Sequence, residues 1–550
     1  MSRTPAEEIS FALVQGGVRR VYCAASGMCG RMVENLQRCD TLHVVEMPTS
    51  EAAVSAALGE AMFTGRIAAC CGGRYAMHAG LCEAGRSSAP VLALVPEEEG
   101  GVPSVDFCKK PGYCSVSEAL RQAVSRSTAE VCVVPSVCAN TIAHSPMLPA
   151  FAASGGHPAI VEPPMEDIVR LAELLNGSSK IAFLCGRGCK GAREALINLA
   201  RHLGAPIVYT LRAKDIMEKD NPCAVGMLGL LGWGDAPAVV QVADLLVIWG
   251  ADFPYSDFLP THGRVVQVDA DAAALGRRTR LCLAVHGDVA ETATLLLPML
   301  QRNRSDEFLA RALIRHARAV TEMEGSLRMV NERAPLRPEY ITRFISSLAE
   351  PDAVFVVDAG PSMIWAARYL QMFAQRRLLA SFYQGIEGSA VALAIGAKAA
   401  EPSRQVVALC SASAFAAHTP ELSVMLRYGL SVKVFLYNDS EASSNRWPEG
   451  DNRQKEAPVM DYAALAHCMG VESYSLSSVG EVSTVVRRWL SADGPALLDA
   501  RVDVHALALP PDSALLRTLN HQGYAPFHSL SPGLEAVRRS LYAGSRGYMR

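Results

Sequence analysis

Short apolar strands alternate with amphipathic helices along most of the chain, and this alternation constrains the fold more than any other feature of the sequence. Ile181–Leu184, Leu245–Trp249 and Val265–Val268 are examples of such strands, and each is followed within two residues by glycine or aspartate. Strands that alternate with helices are typical of parallel sheets with helices on both faces. The sequence therefore predicts an α/β protein built from open parallel sheets.

The alternation divides the chain into three segments of similar length that share no visible sequence repeat. We predict domains at residues 1–160, 161–333 and 334–510, followed by a tail at 511–550 that breaks the pattern. The total of 550 residues fits three or four domains of ~150 residues each.

The composition excludes several classes of function. The 52 basic and 55 acidic side chains give a net charge of −3 and form no basic run, so we expect no nucleic-acid partner. The apolar stretches are far shorter than the ~18 residues of a membrane span. The first ten residues, MSRTPAEEIS, contain acids where a signal peptide has its apolar core. We therefore expect a cytoplasmic protein.

The 16 cysteines predict thiols rather than disulfides or a metal centre. They are scattered through apolar runs and form no C-x-x-C pair or His/Cys spacing of the kind that binds zinc. Reduced, buried thiols in a cytosolic protein are the expectation that follows.

Ordered blocks of sequence connect the chain to a known family. The second segment contains CGRGCKGA, PIVYTLRAK, ADLLVIWGADFPY and VVQVDADAAALG, and the third contains WAARYL and RRLLASF. These blocks resemble the thiamine-diphosphate (ThDP) enzymes, and most of all their flavin-containing pyruvate:quinone oxidoreductase, or pyruvate oxidase, group. The resemblance covers residues 5–510. It implies a pyrimidine-binding-like first domain, a central FAD-type domain and a diphosphate-binding-like third domain.

The resemblance implies that the second domain binds FAD at the loops that follow its strands. Glycines there allow close backbone approach, and Arg212 and Lys214 supply cations for a diphosphate. The alternative is that the glycines persist because the sheet needs its turns. The predicted flavin-binding residues are Gly186, Gly188, Arg212, Lys214, Gly226, Gly229, Gly232, Gly250, Ala251, Asp252, Phe253, Asp269, Ala273, Ala274, Leu275, Gly276, Arg277 and Asp288.

The catalytic glutamate of the family has no direct counterpart here. That glutamate hydrogen-bonds the cofactor's aminopyrimidine, and it aligns with Ser50, with Glu51 beside it. A shift of one residue on a helix turns a side chain by ~100°. Glu51 is therefore either a catalytic replacement in a rebuilt turn or a first-turn acid that the helix dipole favours.

Three other positions of the ThDP site also depart from the family pattern. The glycine-rich loop that lines the pyrimidine is shortened to Cys71–His78, with Tyr75 and Met77 in it. An apolar residue beneath the cofactor aligns with Glu387. The family's magnesium-binding aspartate aligns with Ala412, which lies between Ser411 and Ser413. Its magnesium-binding asparagine aligns with Asp439, which follows Asn438. Asp439 either restores a metal ligand or reflects drift, and Mg²⁺ needs several hard oxygen ligands.

Two functions follow from the resemblance. One is a flavin-binding, structural or regulatory relative that has lost ThDP chemistry. The other is an active pyruvate oxidase or dehydrogenase that uses ThDP, Mg²⁺ and FAD in a rebuilt site.

The resemblance also implies a homodimer or homotetramer, with an active homologue as an alternative partner. In the tail, Leu534, Val537 and Leu541 share a helical face, which either contacts a membrane surface or packs back on the protein.

Overall fold

The computed structural model describes residues 5–24, 30–96, 119–120, 122–124, 129–134, 160–260, 262–301, 305–328, 336–372, 375–439 and 460–503. Three sheets lie in two compact units. The first unit contains the first and third sheets, and the second contains the middle sheet together with residues 363–376. The predicted tail helix at 534–541 lies outside the described residues.

The first sheet has five parallel strands in the order β2-β1-β3-β4-β5. The strands are β1 Arg20–Ala24, β2 His43–Met47, β3 Ala68–Cys71, β4 Val91–Pro96 and β5 Ala129–Val134. The helices are α1 Pro5–Gln15, α2 Gly30–Gln37, α3 Ser50–Thr64 and α4 His78–Arg86.

The second sheet has seven strands in the order β12-β11-β10-β6-β7-β8-β9, and only the β8–β9 pair is antiparallel. Its strands are β6 Ile181–Cys185, β7 Ile207–Tyr209, β8 Ala224–Met227, β9 Trp233–Gly234, β10 Leu245–Trp249, β11 Arg264–Asp269 and β12 Leu283–His286. The helices are α5 Met165–Asn176, α6 Arg193–Leu203, α7 Lys214–Met217, α8 Ala236–Val242, α9 Val289–Leu296, α10 Glu307–Arg328 and α11 Pro338–Leu348.

The third sheet has six parallel strands in the order β14-β13-β15-β16-β18-β17. Its strands are β13 Val354–Val357, β14 Arg377–Leu379, β15 Val406–Ser411, β16 Val432–Asn438, β17 Glu472–Leu476 and β18 Ala496–Arg501. The helices are α12 Pro361–Tyr369, α13 Ser389–Ala400, α14 Ala412–Phe415, α15 Glu421–Arg427, α16 Tyr462–Cys468 and α17 Val482–Ser491.

Two alanine-rich helices join the first sheet to the third. A Cβ atom on Gly59 of α3 would lie 2.1 Å from the Leu393 carbonyl oxygen, and one on Gly396 of α13 would lie 1.8 Å from the Ala56 carbonyl oxygen. Only glycine permits this approach of the two backbones. The crossing of α3 and α13 therefore makes one unit of two sheets that lie far apart in sequence.

The prediction of open parallel sheets is confirmed, because the central strands of all three sheets are buried on both faces. The antiparallel β9 was not predicted. No disulfide joins the described cysteines, most of which are buried. Within the same residues, no helix has the length and apolar character needed to cross a membrane.

Candidate functional site

The first turn of α3 closes on the loop that follows β3. Thr49 caps the helix, since its Oγ1 accepts a hydrogen bond from the Ala52 N–H at 3.0 Å. The Ser50 Oγ accepts one from the Gly73 N–H at 3.0 Å. A Cβ atom on Gly72 would lie 2.7 Å from the Ser50 Oγ. Ser50, which the resemblance assigned to the family's glutamate position, therefore joins the loop to the helix.

Glu51 lies beside a histidine from the third sheet. It is half-buried, and its charge is one of several that raise the pKa of His418. The largest cause is the hydrogen bond between the His418 Nδ1 and the Glu421 Oε1, which are 3.1 Å apart. A Cβ atom on Gly388 would lie 1.9 Å from the His418 ring, so the ring packs directly on that backbone. Glu51 thus contributes negative charge around His418.

Asp358 follows β13 and is the most unusual acid of the first unit. Its side chain is fully buried, and neither carboxylate oxygen has a hydrogen-bond partner of ordinary geometry. Burial raises its pKa to about 7. The N–H groups of Gly388 and Ala359 and the ring of His418 favour the charged form, whereas Glu387 opposes it. Asp358 therefore titrates near neutral pH.

Ala412, which the sequence analysis assigned to the family's magnesium-binding aspartate, supplies no metal-binding atom. Ala412 is buried at the start of α14 and has no donor atom. The Oγ of Ser411 caps this short helix by accepting from the Ala414 N–H at 3.3 Å, and it lies 3.4 Å from the Ser413 Oγ. The two serines therefore support the helix start.

Asn438 ends β16, Asp439 follows it, and the two side chains have different neighbours. The Asn438 Nδ2 donates to the Asp499 Oδ1 at 2.9 Å and to the Met460 carbonyl at 3.2 Å. Asp439 is half-buried, and its charge helps to raise the pKa of Tyr462, after burial and Asp499. In the described part of the chain, no group of three or more His, Cys, Asp or Glu residues could hold a metal ion. Asn438 therefore holds the end of β16 to Asp499 and to the Met460 backbone.

The shortened loop after β3 turns Met77 inward and Tyr75 outward. Met77 is fully buried in the core, where its sulfur lies 3.7 Å from the Cys70 thiol. Tyr75 is 55% exposed. His78 begins α4, and its Nε2 lies 3.6 Å from the Cys82 sulfur. The loop is therefore packed by its own side chains.

Glu83 of α4 was missed by the sequence analysis. This fully buried carboxylate joins the first sheet to the loop that follows β14. It accepts hydrogen bonds of 2.7–3.1 Å from the hydroxyls of Ser87 and Ser381 and from the N–H groups of Phe382, Tyr383 and Gln384. One available signal was an acid between Leu81 and Ala84 on the apolar face of α4.

The predicted flavin-binding glycines of the second sheet lie against the protein's own backbone. The Gly188 N–H donates to the Gly250 carbonyl at 2.9 Å, and a Cβ atom on Gly186 would lie 2.3 Å from the same oxygen. The loops that follow β6 and β10 therefore touch. Their glycines are needed whether or not a nucleotide binds.

The second glycine group forms the β8–β9 hairpin. A Cβ atom on Gly226 would lie 2.3 Å from the Trp233 carbonyl oxygen, and one on Gly232 would lie 2.6 Å from the Met227 carbonyl oxygen. Gly229 has a φ of +111° and faces the rings of Phe253 and Tyr255. Close packing within the hairpin explains these glycines.

Lys214 and Arg212 follow β7, but their side chains differ in exposure. Lys214 is fully buried and forms an ion pair with Glu218. This pair competes with the predicted contact between Lys214 and a diphosphate. Arg212 is half-buried, as is Arg187 after β6.

An ion-pair cluster connects the loops after β10 and β11. Asp252 pairs with Arg277 at 2.6 Å and with Arg278 at 3.0 Å. Burial alone would raise the pKa of Asp252, but Arg278 and then Arg277 hold it below its usual value. Parallel strands end at one edge of a sheet, so this edge carries arginines after β6, β7 and β11.

The remaining predicted residues of this edge have structural partners. Asp288 caps α9 by accepting from the Ala290 and Glu291 N–H groups. The Gly276 N–H donates to the Gln267 side chain at 3.0 Å. Burial raises the pKa of Asp269. Ala251, Phe253 and Ala274 are buried, Leu275 is half-buried and Ala273 is exposed.

Three family models match the chain in order. They describe the thiamine pyrophosphate enzyme N-terminal TPP-binding domain at residues 3–101, the central domain at 168–296 and the C-terminal TPP-binding domain at 358–500. Each range falls on one of the three sheets.

Individual relatives are distant and carry different names. The Bacillus subtilis protein YdaP, whose name refers to thiamine pyrophosphate, is 26% identical over 91% of this chain and 92% of its own length. The acetolactate synthase large subunit of Cyanidium caldarium is 26% identical over 62% of this chain and 61% of its own. The pyruvate oxidase of Lactiplantibacillus plantarum is 23% identical over 88% and 86%.

The order of the three matching domains agrees with the order of the three sheets. The chain therefore belongs to the thiamine-diphosphate enzyme family.

Proposed function

We propose that this chain is a flavin-binding relative of the pyruvate:quinone oxidoreductase group that does not carry out ThDP chemistry. The observation that supports this most directly is the hydrogen bond from the Gly73 N–H to the Ser50 Oγ. The residue assigned to the family's glutamate position is a serine, and its hydroxyl is already bound to the backbone. No carboxylate is available there to act on an aminopyrimidine.

The charges around Asp358 support the same proposal. Glu51, Asp358, Glu387 and Glu421 all influence this region through His418 or directly. Like charges repel, and the cost is greatest where side chains are buried. A diphosphate placed among these acids, without the metal ligand that Ala412 replaces, is disfavoured.

Calorimetric titration of the full chain with ThDP and Mg²⁺ tests the proposal. We expect no binding at micromolar concentration. The matched variant Ala412→Asp restores one ligand, and we expect it to gain at most weak, Mg²⁺-dependent binding. Sub-micromolar binding of ThDP by the wild-type chain would overturn the proposal.

The flavin part of the proposal rests on the edge of the second sheet. Three arginines follow strands β6, β7 and β11 there, namely Arg187, Arg212 and Arg277. Guanidinium groups bind the diphosphate of a dinucleotide well. The glycines do not distinguish a flavin-binding domain from one without a nucleotide, since backbone packing already requires them. Flavin binding would place FAD at this edge with a structural or redox role.

An absorbance spectrum of freshly purified protein tests flavin binding. We expect flavin bands and a released chromophore that is FAD. A bound ligand stabilises the folded state by about 2.7 kcal/mol at a hundredfold excess over Kd. A colourless protein whose melting temperature does not rise with added FAD or ADP would contradict the flavin part.

A second candidate is an active pyruvate oxidase or dehydrogenase with a rebuilt site. The observation that favours it is the buried carboxyl of Asp358, on which the charge of His418 acts, because an acid whose pKa is about 7 suits general acid–base work. In that case pyruvate should reduce a quinone or dye, and Asp358→Asn should abolish the reaction. Absence of pyruvate-dependent reduction leaves the first proposal in place.

We also propose that the chain forms a homodimer or homotetramer. Closed symmetry of this kind is usual among soluble protein oligomers. An active homologue that shares the fold is the alternative partner. Sedimentation velocity on the purified chain tests this, and a stable monomer at micromolar concentration would contradict it.

A further inference from the structure

The second unit contains a cavity of about 620 Å³ that none of the predicted flavin-binding residues lines. Its wall is formed by the end of α6, the segment after α7, Trp233, α10, α11 and α12 with the residues that follow it. Val320, Leu370 and Met372 provide apolar surface. A volume of 300–1,000 Å³ with an apolar wall and a few polar groups is typical of sites for small organic ligands.

Three side chains on this wall have buried N–H donors without an acceptor. Arg368 is 3% exposed, and its Nε, Nη1 and Nη2 are all buried without a hydrogen-bond partner. The Nη1 of Arg343 and the Nε1 of Trp233 are in the same state. Buried polar groups are nearly always paired, and an unpaired buried charge is especially costly. Three such side chains around one cavity indicate a missing acceptor.

Two of the three acidic side chains on the wall are paired elsewhere, and the third, Asp220, does not act on the charge of Arg368. Glu218 accepts from Lys214, Tyr209 and the Met372 N–H, and Glu324 is paired with Arg343 through Nη2 at 2.9 Å. Burial lowers the pKa of Arg368 to about 10, and Tyr369 is the one titratable neighbour that acts on it among the described residues. Arg368 is therefore still charged at neutral pH and lacks a carboxylate partner there.

Arg376 in the same unit shows what a structural buried arginine looks like. It is 2% exposed, and its guanidinium donates to the backbone carbonyls of Glu350, Ser346, Gln371 and Ala349. Arg368 makes no comparable contact. The contrast separates an arginine that holds loops together from one whose partner is outside the protein.

We propose that this cavity binds an organic anion, a carboxylate or phosphate group on an apolar body, whose oxygens accept hydrogen bonds from Arg368 and Arg343. The apolar body would lie against Leu370, Met372 and the Trp233 ring. Because the Arg368 nitrogens are covered in the ligand-free chain, binding would draw its side chain into the cavity.

Calorimetric titration of the full chain with hexyl phosphate, hexanoate, inorganic phosphate and neutral hexanol tests the proposal. We expect at least one of hexyl phosphate and hexanoate to bind more tightly than inorganic phosphate. If both bind, they should compete for the same site, and hexanol should not bind. The comparison of the two anions distinguishes a phosphate site from a carboxylate site. Binding should also change the fluorescence of Trp233, and Trp233→Phe should remove that change.

Arg368→Gln should weaken anion binding about ten- to a hundredfold, because hydrogen bonds to a charged group are lost. Arg311→Gln, an exposed change on α10, should leave binding unchanged. The FAD content of both variants should equal that of the wild type, so failure here is distinct from failure of the flavin proposal.

Three outcomes would overturn the proposal. Two of them are equal affinity of the wild type and Arg368→Gln for the anions, and binding of hexanol as strong as that of hexanoate. The other is a melting temperature of ligand-free Arg368→Gln as far below the wild type as that of Arg376→Gln, since that would make Arg368 a structural residue.

Discussion

The Gly73 N–H donates to the Ser50 Oγ at 3.0 Å, and this bond joins the end of β3 to the first turn of α3. Ser50, the position that the sequence analysis assigned to the family's glutamate, thus bonds to the backbone of the neighbouring loop. The Gly72 backbone packs directly on this side chain, since a Cβ atom on Gly72 would lie 2.7 Å from the Ser50 Cβ and Oγ.

Ser50→Ala should lower the free energy of unfolding by about 1 kcal/mol, through loss of this hydrogen bond. Ser50→Glu should cost more, roughly 1–3 kcal/mol, because the larger side chain must displace the loop. Chemical denaturation of both variants measures the effect. A Ser50→Glu variant as stable as the wild type would show that the first turn accepts a glutamate.

Asp358→Asn should change how stability depends on pH. The usual pKa of aspartate is ~3.9, and the folded value is about 7. Between these values the folded state keeps a proton that the unfolded chain releases, so the Asp358 contribution to stability falls as pH rises from about 4 to 7. The loss is at most on the order of 4 kcal/mol.

Melting temperatures of the wild type and Asp358→Asn from pH 4.5 to 8 measure this effect. The two curves should diverge as pH rises, with the asparagine variant the more stable at pH 8. Parallel curves would mean that Asp358 is ionised throughout and has a cationic partner in solution.

Glu83→Gln should destabilise the first unit by about 1–3 kcal/mol, because a neutral amide cannot accept from five donors as a carboxylate does. Glu387→Gln is the matched control, since Glu387 is exposed near the same loop. Denaturation of both variants gives the comparison. Equal stability of Glu83→Gln and the control would show that the hydrogen bonds contribute little.

Gly396→Ala should be strongly destabilising, because the new methyl group would lie 1.8 Å from the Ala56 carbonyl oxygen and force α3 and α13 apart. Gly85→Ala, on the exposed side of α4, has open space around it and should gain about 0.5–1 kcal/mol from helix propensity. Thermal unfolding of the two variants should therefore shift in opposite directions. A shift in the same direction would contradict the backbone contact.

The sheets were predictable because periodicity and strand-end glycines are local features of sequence. Leu245–Trp249 was predicted as a strand, and the structure has the same bounds. Ala412 and Asp439 were assigned to their positions from the strands VVALC and VKVFLYN, which align without gaps, and Ser50 was assigned by counting back from Gly65. These assignments remain predictions.

The residues around Asp358 were not predictable, because their roles depend on contacts between distant segments. His418 packs on Gly388, and Glu83 holds a loop some three hundred residues away in sequence. No motif marks a lone buried acid. Lys214 shows that a local pattern can also mislead. A lysine after a strand suggests a phosphate-binding residue, whereas in the structure Lys214 forms an ion pair with Glu218.

The contact between Ala56 and Gly396 also has a consequence for biosynthesis. Because α3 is buried on nearly all sides and much of its cover comes from α13, the nascent chain carries an unprotected apolar helix until residue 396 has left the ribosome. The whole of the second sheet is translated in that interval. Contacts of such long sequence separation form slowly, and surfaces that await them are prone to aggregate. Chaperones that cover this helix during translation should therefore govern the yield of folded protein.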